Sequence, residues 1–181
     1  MEYIFRTGNA CDFKGKIILV NECLGCSCDF LIRELANAFK SHAVVSFYLK
    51  KEEYQGLNSF SAYDLEQEDL KRVVNFLDSD LLLVDGNNLK NFDLDFGSSN
   101  FENKTVVLIN RSVATLCYSE MYRAHTVVTL RALLASSSIY SGRLNIRTRA
   151  TMEDIDLLYT ETDGKTEYLV DEAGTASLPP Q

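Results

Sequence analysis

The loop that follows the first apolar run carries the residues most capable of chemistry, because it stands where nucleotide-binding proteins hold phosphates. Such proteins place G-x-x-x-x-G-K-[ST] between a strand and a helix. The glycines let backbone amides approach the phosphates, the lysine neutralises their charge and the hydroxyl binds magnesium. This chain places Asn21, Cys26, Ser27 and Cys28 at those four positions. None of the four chemical requirements is met, so the sequence predicts a degenerate phosphate loop.

Two carboxylates bear on this interpretation, the first on the loop and the second on the RecA-type order of elements. Glu22 lies inside the loop, where its negative charge would repel a triphosphate. Leu81 to Asp85 has the form of a magnesium-directing strand, four apolar residues followed by an aspartate. The same pattern also occurs where an ordinary buried strand leaves a sheet. Without a lysine in the first loop, Asp85 has no nucleotide-bound magnesium to hold. We therefore expect no enzymatic activity, no catalytic residue and no cofactor.

The same loop holds three closely spaced cysteines, Cys23, Cys26 and Cys28, in the pattern C-x-x-C-x-C. Thiolates suit zinc, and Cys11 or Cys117 would complete four ligands. The second C-x-x-C pair of a usual zinc site is absent, and so is the aromatic and Gly-Pro context of a redox motif. We interpret the cysteines as small, partly buried thiols and predict no metal site.

The elements that would position this loop alternate between strands and helices. Apolar runs predict strands over 16–20, 43–49, 81–84, 105–110 and 125–130, and helical spacing predicts helices from residue 29, over 65–77 and over 113–122. Two or three closing strands lie within 141–149, 156–159 and 167–170, near a DG turn at Asp163 and Gly164 that favours antiparallel pairing. This order predicts an α/β fold like that of RecA-type ATPase cores, with a mainly parallel sheet flanked by helices and antiparallel C-terminal strands.

Length and composition indicate one domain. The 181 residues are 46% apolar, which suits a single core over 1–172, and a polar end with both prolines predicts a disordered tail over 173–181. No stretch approaches the roughly 18–20 apolar residues of a membrane span, and the first residues lack the signal-peptide pattern. Five cysteines without a secretory signal favour a reducing, intracellular compartment.

Charge is distributed unevenly along a chain whose formal net charge is −8. Residues 52–102 carry twelve acids against three bases, whereas 111–149 carry six arginines against one acid. Period-two alternation places Arg143, Arg147 and Arg149 on one face of a strand. These guanidinium groups could contact RNA phosphates, face a partner subunit, or pair with the chain's own acids as ordinary surface.

Three blocks of the sequence resemble the Elongator complex protein 6 family. They are GKIILVNECLGCSCDFLIRELANAF from Gly15, HTVVTLRALLASSSIYSGRLNIRTR from His125, and IDLLYTETDGKTEYLV from Ile155. The first resembles the family's strand, degenerate loop and helix, the second its later strand, link and final apolar strand, and the third its terminal hairpin. The chain departs from the family pattern at Ala132, where proline is usual, and at 140–141, where Tyr-Ser replaces Asp-Val.

This resemblance implies a RecA-like subunit without nucleotide chemistry. It would join two related subunits, Elongator proteins 4 and 5, in a hetero-oligomeric ring that supports tRNA wobble-uridine modification in the cytoplasm and nucleus. Contact with tRNA is a further possibility, and no membrane partner is implied. A second hypothesis is a RecA-fold recombinase-paralogue accessory factor in homologous recombination and DNA repair, since a degenerate loop and an aspartate strand fit it equally well. A third is an active ATPase, which requires measurable nucleotide binding.

Overall fold

The computed structural model describes residues 4, 13–47, 54, 56–61, 77–86, 101–111, 123–133, 139–149 and 151–171. Within these ranges the chain forms one helix and nine strands: α1 Asp29–Ala38, β1 Ile17–Glu22, β2 His42–Ser46, β3 Ser59–Ser61, β4 Leu81–Asp85, β5 Thr105–Asn110, β6 Thr126–Arg131, β7 Gly142–Thr148, β8 Glu153–Thr162 and β9 Lys165–Val170. The helices predicted over 65–77 and 113–122 lie outside these ranges, apart from Leu77, which is not helical. The tail predicted over 173–181 also lies outside them. In the described ranges, no helix has the length and apolarity needed to cross a bilayer.

The nine strands form one sheet in the order β3-β2-β4-β5-β1-β6-β7-β8-β9. The pairings from β3 to β6 are parallel, and those from β6 to β9 are antiparallel. Thus β1 lies between β5 and β6, strands that follow it in the chain by more than 80 residues. The predicted mainly parallel sheet with antiparallel C-terminal strands is confirmed.

The two parts of the sheet differ in burial. In the parallel part, β4 and β5 are buried along their whole length, which explains their continuous apolar sequences. Antiparallel β7 instead alternates, with Leu144 and Ile146 in the core and Arg143 and Arg147 on the opposite face. The alternation predicted for this strand is therefore confirmed.

Helix α1 connects the two parts of the sheet. Its buried face consists of Phe30, Leu31, Ile32, Leu35 and Ala36, which share one helical stripe. The Phe30 ring packs on Tyr159 of β8, with centroids 4.8 Å apart, and the Tyr168 hydroxyl of β9 donates to Glu34 at 2.9 Å. The helix that leaves the parallel strand β1 is thereby held by the antiparallel strands.

The structure differs from the predicted boundaries at several strands. β2 ends at Ser46 and not at 49, and β9 begins at Lys165 and not at 167. β1 extends to Glu22, because its last residues pair with β6, where Glu22 lies opposite Leu130. β8 has ten residues against the four predicted, since its polar ends pair with β7 and β9 although they carry little apolar signal. β3 was not predicted, because a three-residue strand in a polar segment has almost no periodicity to detect.

The two C-terminal turns use left-handed backbone conformations. Asp163 and Gly164 have φ values of 52° and 74°, as a type I′ turn requires, which confirms the predicted hairpin turn. Met152, between β7 and β8, also has a positive φ of 56°. It is 86% exposed, so its side chain gains little packing in this conformation. A non-glycine residue in this conformation is strained by contact between its Cβ and the backbone.

We predict that Met152→Gly raises the free energy of unfolding by roughly 0.5–1 kcal/mol, because relief of strain exceeds the entropy that glycine loses on folding. Thr151→Gly is the matched control. Thr151 is in the same turn without a positive φ, so this change should lower stability by a similar amount. Urea denaturation measures both effects, and equal or reduced stability of Met152→Gly would contradict the prediction.

Candidate functional site

The sheet has a crevice between the carboxyl ends of β1 and β5. From β1 the chain passes through α1 to β2 on one side, whereas from β5 it passes to β6 on the other side of β1. In α/β proteins, ligands bind in the crevice that such a change of direction opens at the carboxyl ends of the strands. Any ligand-binding site of this fold is therefore expected beside the ends of these two strands.

Strand register brings four charged residues to this crevice. Asn21 of β1 lies opposite Asn110 of β5, so Glu22 and Arg111, the next residues on each strand, emerge at the same level. Asp85 ends the neighbouring strand β4. Asp29 is the first residue of α1, the helix that leaves the β1 loop.

The Arg111 guanidinium binds all three carboxylates. Its Nε lies 2.8 and 3.1 Å from the two oxygens of Asp85, and its Nη2 lies 2.8 Å from Asp85 Oδ2. Nη2 also donates to Asp29 at 2.7 Å, and Nη1 donates to Glu22 at 3.1 Å. The Arg111 side chain is 5% exposed and that of Asp85 is fully buried. We call Arg111, Glu22, Asp29 and Asp85 the Arg111 cluster.

Electrostatics maintain the charges of this cluster. Burial alone would lower the pKa of Arg111, but hydrogen bonds and charge interactions, chiefly with Asp85, outweigh it and raise that pKa. Burial alone would likewise raise the pKa of Asp29, but hydrogen bonds from Arg111 and Ser27 reverse the effect and lower it. One fixed cation is thus surrounded by three carboxylates, and the site has an excess of negative charge.

The amides at the start of α1 already have acceptors from the chain. Glu22 Oε2 accepts the Cys28 N–H at 2.8 Å, and Ser27 Oγ accepts the Asp29 N–H at 3.2 Å. Amides at a helix N-terminus are the groups that bind phosphate in nucleotide-binding loops. Ser27 thus contributes to capping, although the N-cap residue itself is Cys28, whose side chain makes no capping bond.

The residues of the predicted degenerate loop surround this cluster. Asn21 is buried and its Oδ1 accepts a hydrogen bond from Asn110 at 3.2 Å. Cys26 is partly buried against the core, and Cys28 is fully buried, which raises the pKa of its thiol well above the ordinary value. Among the described residues, no group of three or more His, Cys, Asp or Glu side chains could hold a metal ion.

The carboxylate of Asp85, the aspartate of the predicted magnesium-directing strand, has two side-chain partners within the described ranges. Besides Arg111, it accepts a hydrogen bond from the hydroxyl of Tyr54. Burial and the charge of Asp85 raise the pKa of Tyr54, so this hydroxyl remains a donor at neutral pH. The carboxylate that would direct magnesium in a nucleotide-binding protein therefore has an arginine and a tyrosine as ligands.

The structure does not place the three predicted contact arginines in this crevice. Arg143 lies opposite Arg131, and its guanidinium pairs with Asp171. Arg147 lies opposite Asp154 on β8. Arg149 follows β7 at the other end, where its amide donates to the His125 carbonyl at 2.9 Å. Arg143 and Arg147 share the predicted face, but the three do not form one compact group.

Sequence reasoning missed the role of Arg111, which it counted only as part of a basic block. A usable signal existed, because Arg111 directly follows an apolar strand, and the carboxyl ends of parallel strands meet at one edge of a sheet. Tyr54 had no comparable signal. It precedes β3, a strand that was itself not predicted.

We predict that Arg111→Met lowers the free energy of unfolding by about 3–5 kcal/mol, because it leaves buried carboxylates without a counter-charge. Arg131→Met, which removes an exposed arginine at the end of β6, should change stability by less than about 0.5 kcal/mol. Urea denaturation of both variants tests this. Similar small losses in the two would show that the cluster contributes little to stability.

We also predict that Asp29 makes stability pH-dependent. Its pKa is lowered from 3.8 in the folded chain, so its stabilisation is present above the unfolded value and is lost as the pH falls through the folded value. Asp29→Asn should be less stable at neutral pH and lose less stability below about pH 4 than the unchanged chain. Ser27→Ala removes one hydrogen-bond donor to Asp29, so its loss of stability at low pH should lie between those of Asp29→Asn and the unchanged chain. Parallel profiles of Asp29→Asn and the unchanged chain would oppose this account.

Comparisons with known proteins support the fold. No family model matches the chain, and no curated protein matches it. A solved KaiC-like protein of the archaeon Pyrococcus horikoshii OT3 aligns with a TM-score of 0.54 and 14% identity over 87% of this chain and 90% of its own. The DNA-packaging ATPase of Sulfolobus Turreted Icosahedral Virus aligns with a TM-score of 0.55 and 10% identity over 80% of this chain and 97% of its own. Together with the sheet order, these likenesses show that the chain has a RecA-like α/β fold.

Proposed function

We propose that this chain is a non-catalytic RecA-like subunit that acts by assembly and does not hydrolyse nucleotide. The Arg111 cluster is the observation that carries this proposal. It fills the crevice where phosphates and magnesium would bind with an arginine and three carboxylates of the chain itself. The loop beside it has neither the lysine nor either of the two glycines of a phosphate-binding loop at their motif positions.

The free-energy cost of breaking the contacts of the Arg111 cluster disfavours nucleotide binding. A triphosphate would have to displace Glu22 from the Cys28 amide and approach three carboxylates. A phosphate group that drew Arg111 away would leave buried Asp85 without its counter-charge, and an uncompensated buried charge costs about 3–5 kcal/mol. A nucleotide affinity of about 1 μM corresponds to roughly −8 kcal/mol, so this cost alone would weaken it to about 1 mM. Loss of the lysine and of the free amides weakens it further.

We place this subunit in the Elongator accessory ring, with related RecA-like subunits 4 and 5 as partners, in the cytoplasm and nucleus. The three family-like blocks support this placement, because they form one continuous half of the structure. They contain β1 with α1, β6 with β7, and β8 with β9, which are neighbours in the sheet. The ring supports wobble-uridine modification of tRNA, and this subunit would contribute to its assembly.

Contact with tRNA is part of this proposal. Arg147 and Arg149 are both exposed near the end of β7, so a phosphate group could reach them more readily than Arg143, which is half-buried. Arginine binds phosphate through paired N–H groups, which suits an RNA backbone. An exchange of both residues for glutamine should weaken tRNA binding by the assembled ring without changing its composition.

Three measurements test the proposal. Titration calorimetry of the isolated chain with ATP and magnesium should give no binding heat at millimolar nucleotide, and saturable binding would contradict a degenerate site. Affinity purification of the tagged chain, followed by mass spectrometry, should recover Elongator proteins 4 and 5. Loss of the chain should deplete wobble-uridine side-chain modifications of tRNA. Recovery of a recombinase without Elongator subunits, with sensitivity to DNA damage and unchanged tRNA, would instead support the recombination alternative.

A further inference from the structure

Two of the loop cysteines lie at the ends of a tight turn. The Cys26 amide donates to the Cys23 carbonyl at 3.2 Å, and Gly25 between them has a φ of 85°. A bond between residues i and i+3, with a left-handed glycine at i+2, is the pattern of a type II β-turn. Such a turn holds its end residues within about 7 Å between Cα atoms, and disulfides bridge Cα separations of about 4.4–6.8 Å. The backbone therefore already has the spacing that a disulfide needs.

The two thiols also differ from the third in access. Cys23 and Cys26 are partly exposed, whereas Cys28 is fully buried. Leu24, at the tip of the turn, is 84% exposed, so the turn itself is at the surface. Burial, with smaller contributions from Cys23 and Glu22, raises the pKa of the Cys26 thiol. A soluble reagent can thus reach this pair but not Cys28.

We propose that Cys23 and Cys26 form a reversible dithiol site, which a low-molecular-weight disulfide oxidises to an intrachain disulfide across the turn. The site is independent of the proposed Elongator role, since it depends only on the geometry of this loop. It also gives a role to part of the C-x-x-C-x-C pattern that the Arg111 cluster leaves unused.

The exchange occurs in two balanced steps. The Cys23 thiolate attacks one sulfur of the small disulfide, forming a mixed disulfide and releasing one small thiolate. The Cys26 thiolate then attacks the Cys23 sulfur, forming the Cys23–Cys26 bond and releasing the second small thiolate. The two protein thiols are oxidised, the small disulfide is reduced to two thiols, and the protons of the cysteines go to the thiolates released. An excess of the small thiol reverses both steps.

Peptide mapping of the full chain tests the proposal. The chain is equilibrated with glutathione and glutathione disulfide, alkylated and cleaved with trypsin. Cleavage after Lys16 and Arg33 gives one peptide with all three loop cysteines. We expect this peptide to carry one disulfide and one alkylated thiol. Backbone cleavage between Cys26 and Cys28 should give two separate fragments. Cleavage between Cys23 and Cys26 should not, because the disulfide holds the two pieces together. Reduced glutathione should restore three alkylated thiols.

Variants separate the turn geometry from general thiol reactivity. Cys28→Ser should keep the disulfide, whereas Cys26→Ser should leave a glutathione adduct on Cys23. Gly25→Ala meets only an ordinary contact with Ala132, at 3.4 Å, but it strains the left-handed backbone. Because the left-handed conformation at residue 25 is present in both the dithiol and the disulfide form, this strain lowers the folding stability of both forms and should leave the equilibrium constant for disulfide formation nearly unchanged.

The proposal is overturned if the unchanged chain gives only glutathione adducts, a disulfide that includes Cys28, or no oxidation at excess glutathione disulfide. The unchanged chain alone decides between these outcomes, so the test does not depend on whether every variant folds. Circular dichroism before and after oxidation should be the same, because the turn already has the required spacing. The result is also separate from the search for Elongator partners, which uses neither oxidant nor these variants.

Discussion

A guanidinium can remain buried in a protein only where acids compensate its charge, and this constraint governs the centre of the molecule. Arg111 binds carboxylates at the end of β1, at the end of β4 and at the start of α1. The buried carboxylates of Glu22 and Asp85 in turn require the arginine, because an unpaired buried charge costs several kcal/mol, whereas the Asp29 side chain is 51% exposed. The pairing therefore fixes the relative positions of three strand ends and one helix. The same atoms lie at the end of β1 and the start of α1, so the interaction that stabilises the fold is also the one on which the proposed absence of nucleotide chemistry rests.

Much of the fold could be predicted because burial determines sequence directly. β4 and β5 are buried on both faces and therefore read as continuous apolar runs, which gave their bounds closely. The DG turn at Asp163 and Gly164 was predicted because few residues accept two successive positive φ angles. β3 and the ends of β8 were not predicted. Their hydrogen bonds come from neighbouring strands, and backbone pairing leaves little trace in the side chains.

For the candidate site, the sequence predicted only which residues of a phosphate-binding loop are missing. The lost glycines, lysine and hydroxyl were visible because a phosphate loop demands fixed residues at fixed spacing. The Arg111 cluster could not be predicted, since Arg111 lies 89 residues from Glu22 and 26 residues from Asp85 along the chain. Alternation revealed which face of β7 carries Arg143, but not that Asp171 would lie beside it. Local patterns show where a side chain points, whereas its partner depends on the complete sheet order.

The position of β1 has a consequence for how the chain folds. Ile17 pairs with Val106, and Ile18 with Thr126, so the central strand has neither neighbour until most of the chain has been synthesised. The chain loses loop-closure entropy before such distant pairs form, so folding is slower than in chains rich in local contacts. A ribosome-bound chain that ends before β5 would expose both edges of a hydrophobic strand. It would also carry the carboxylates of Glu22, Asp29 and Asp85 without their arginine. The interval before residue 111 emerges is therefore the stage at which this chain most needs protection from misfolding and aggregation.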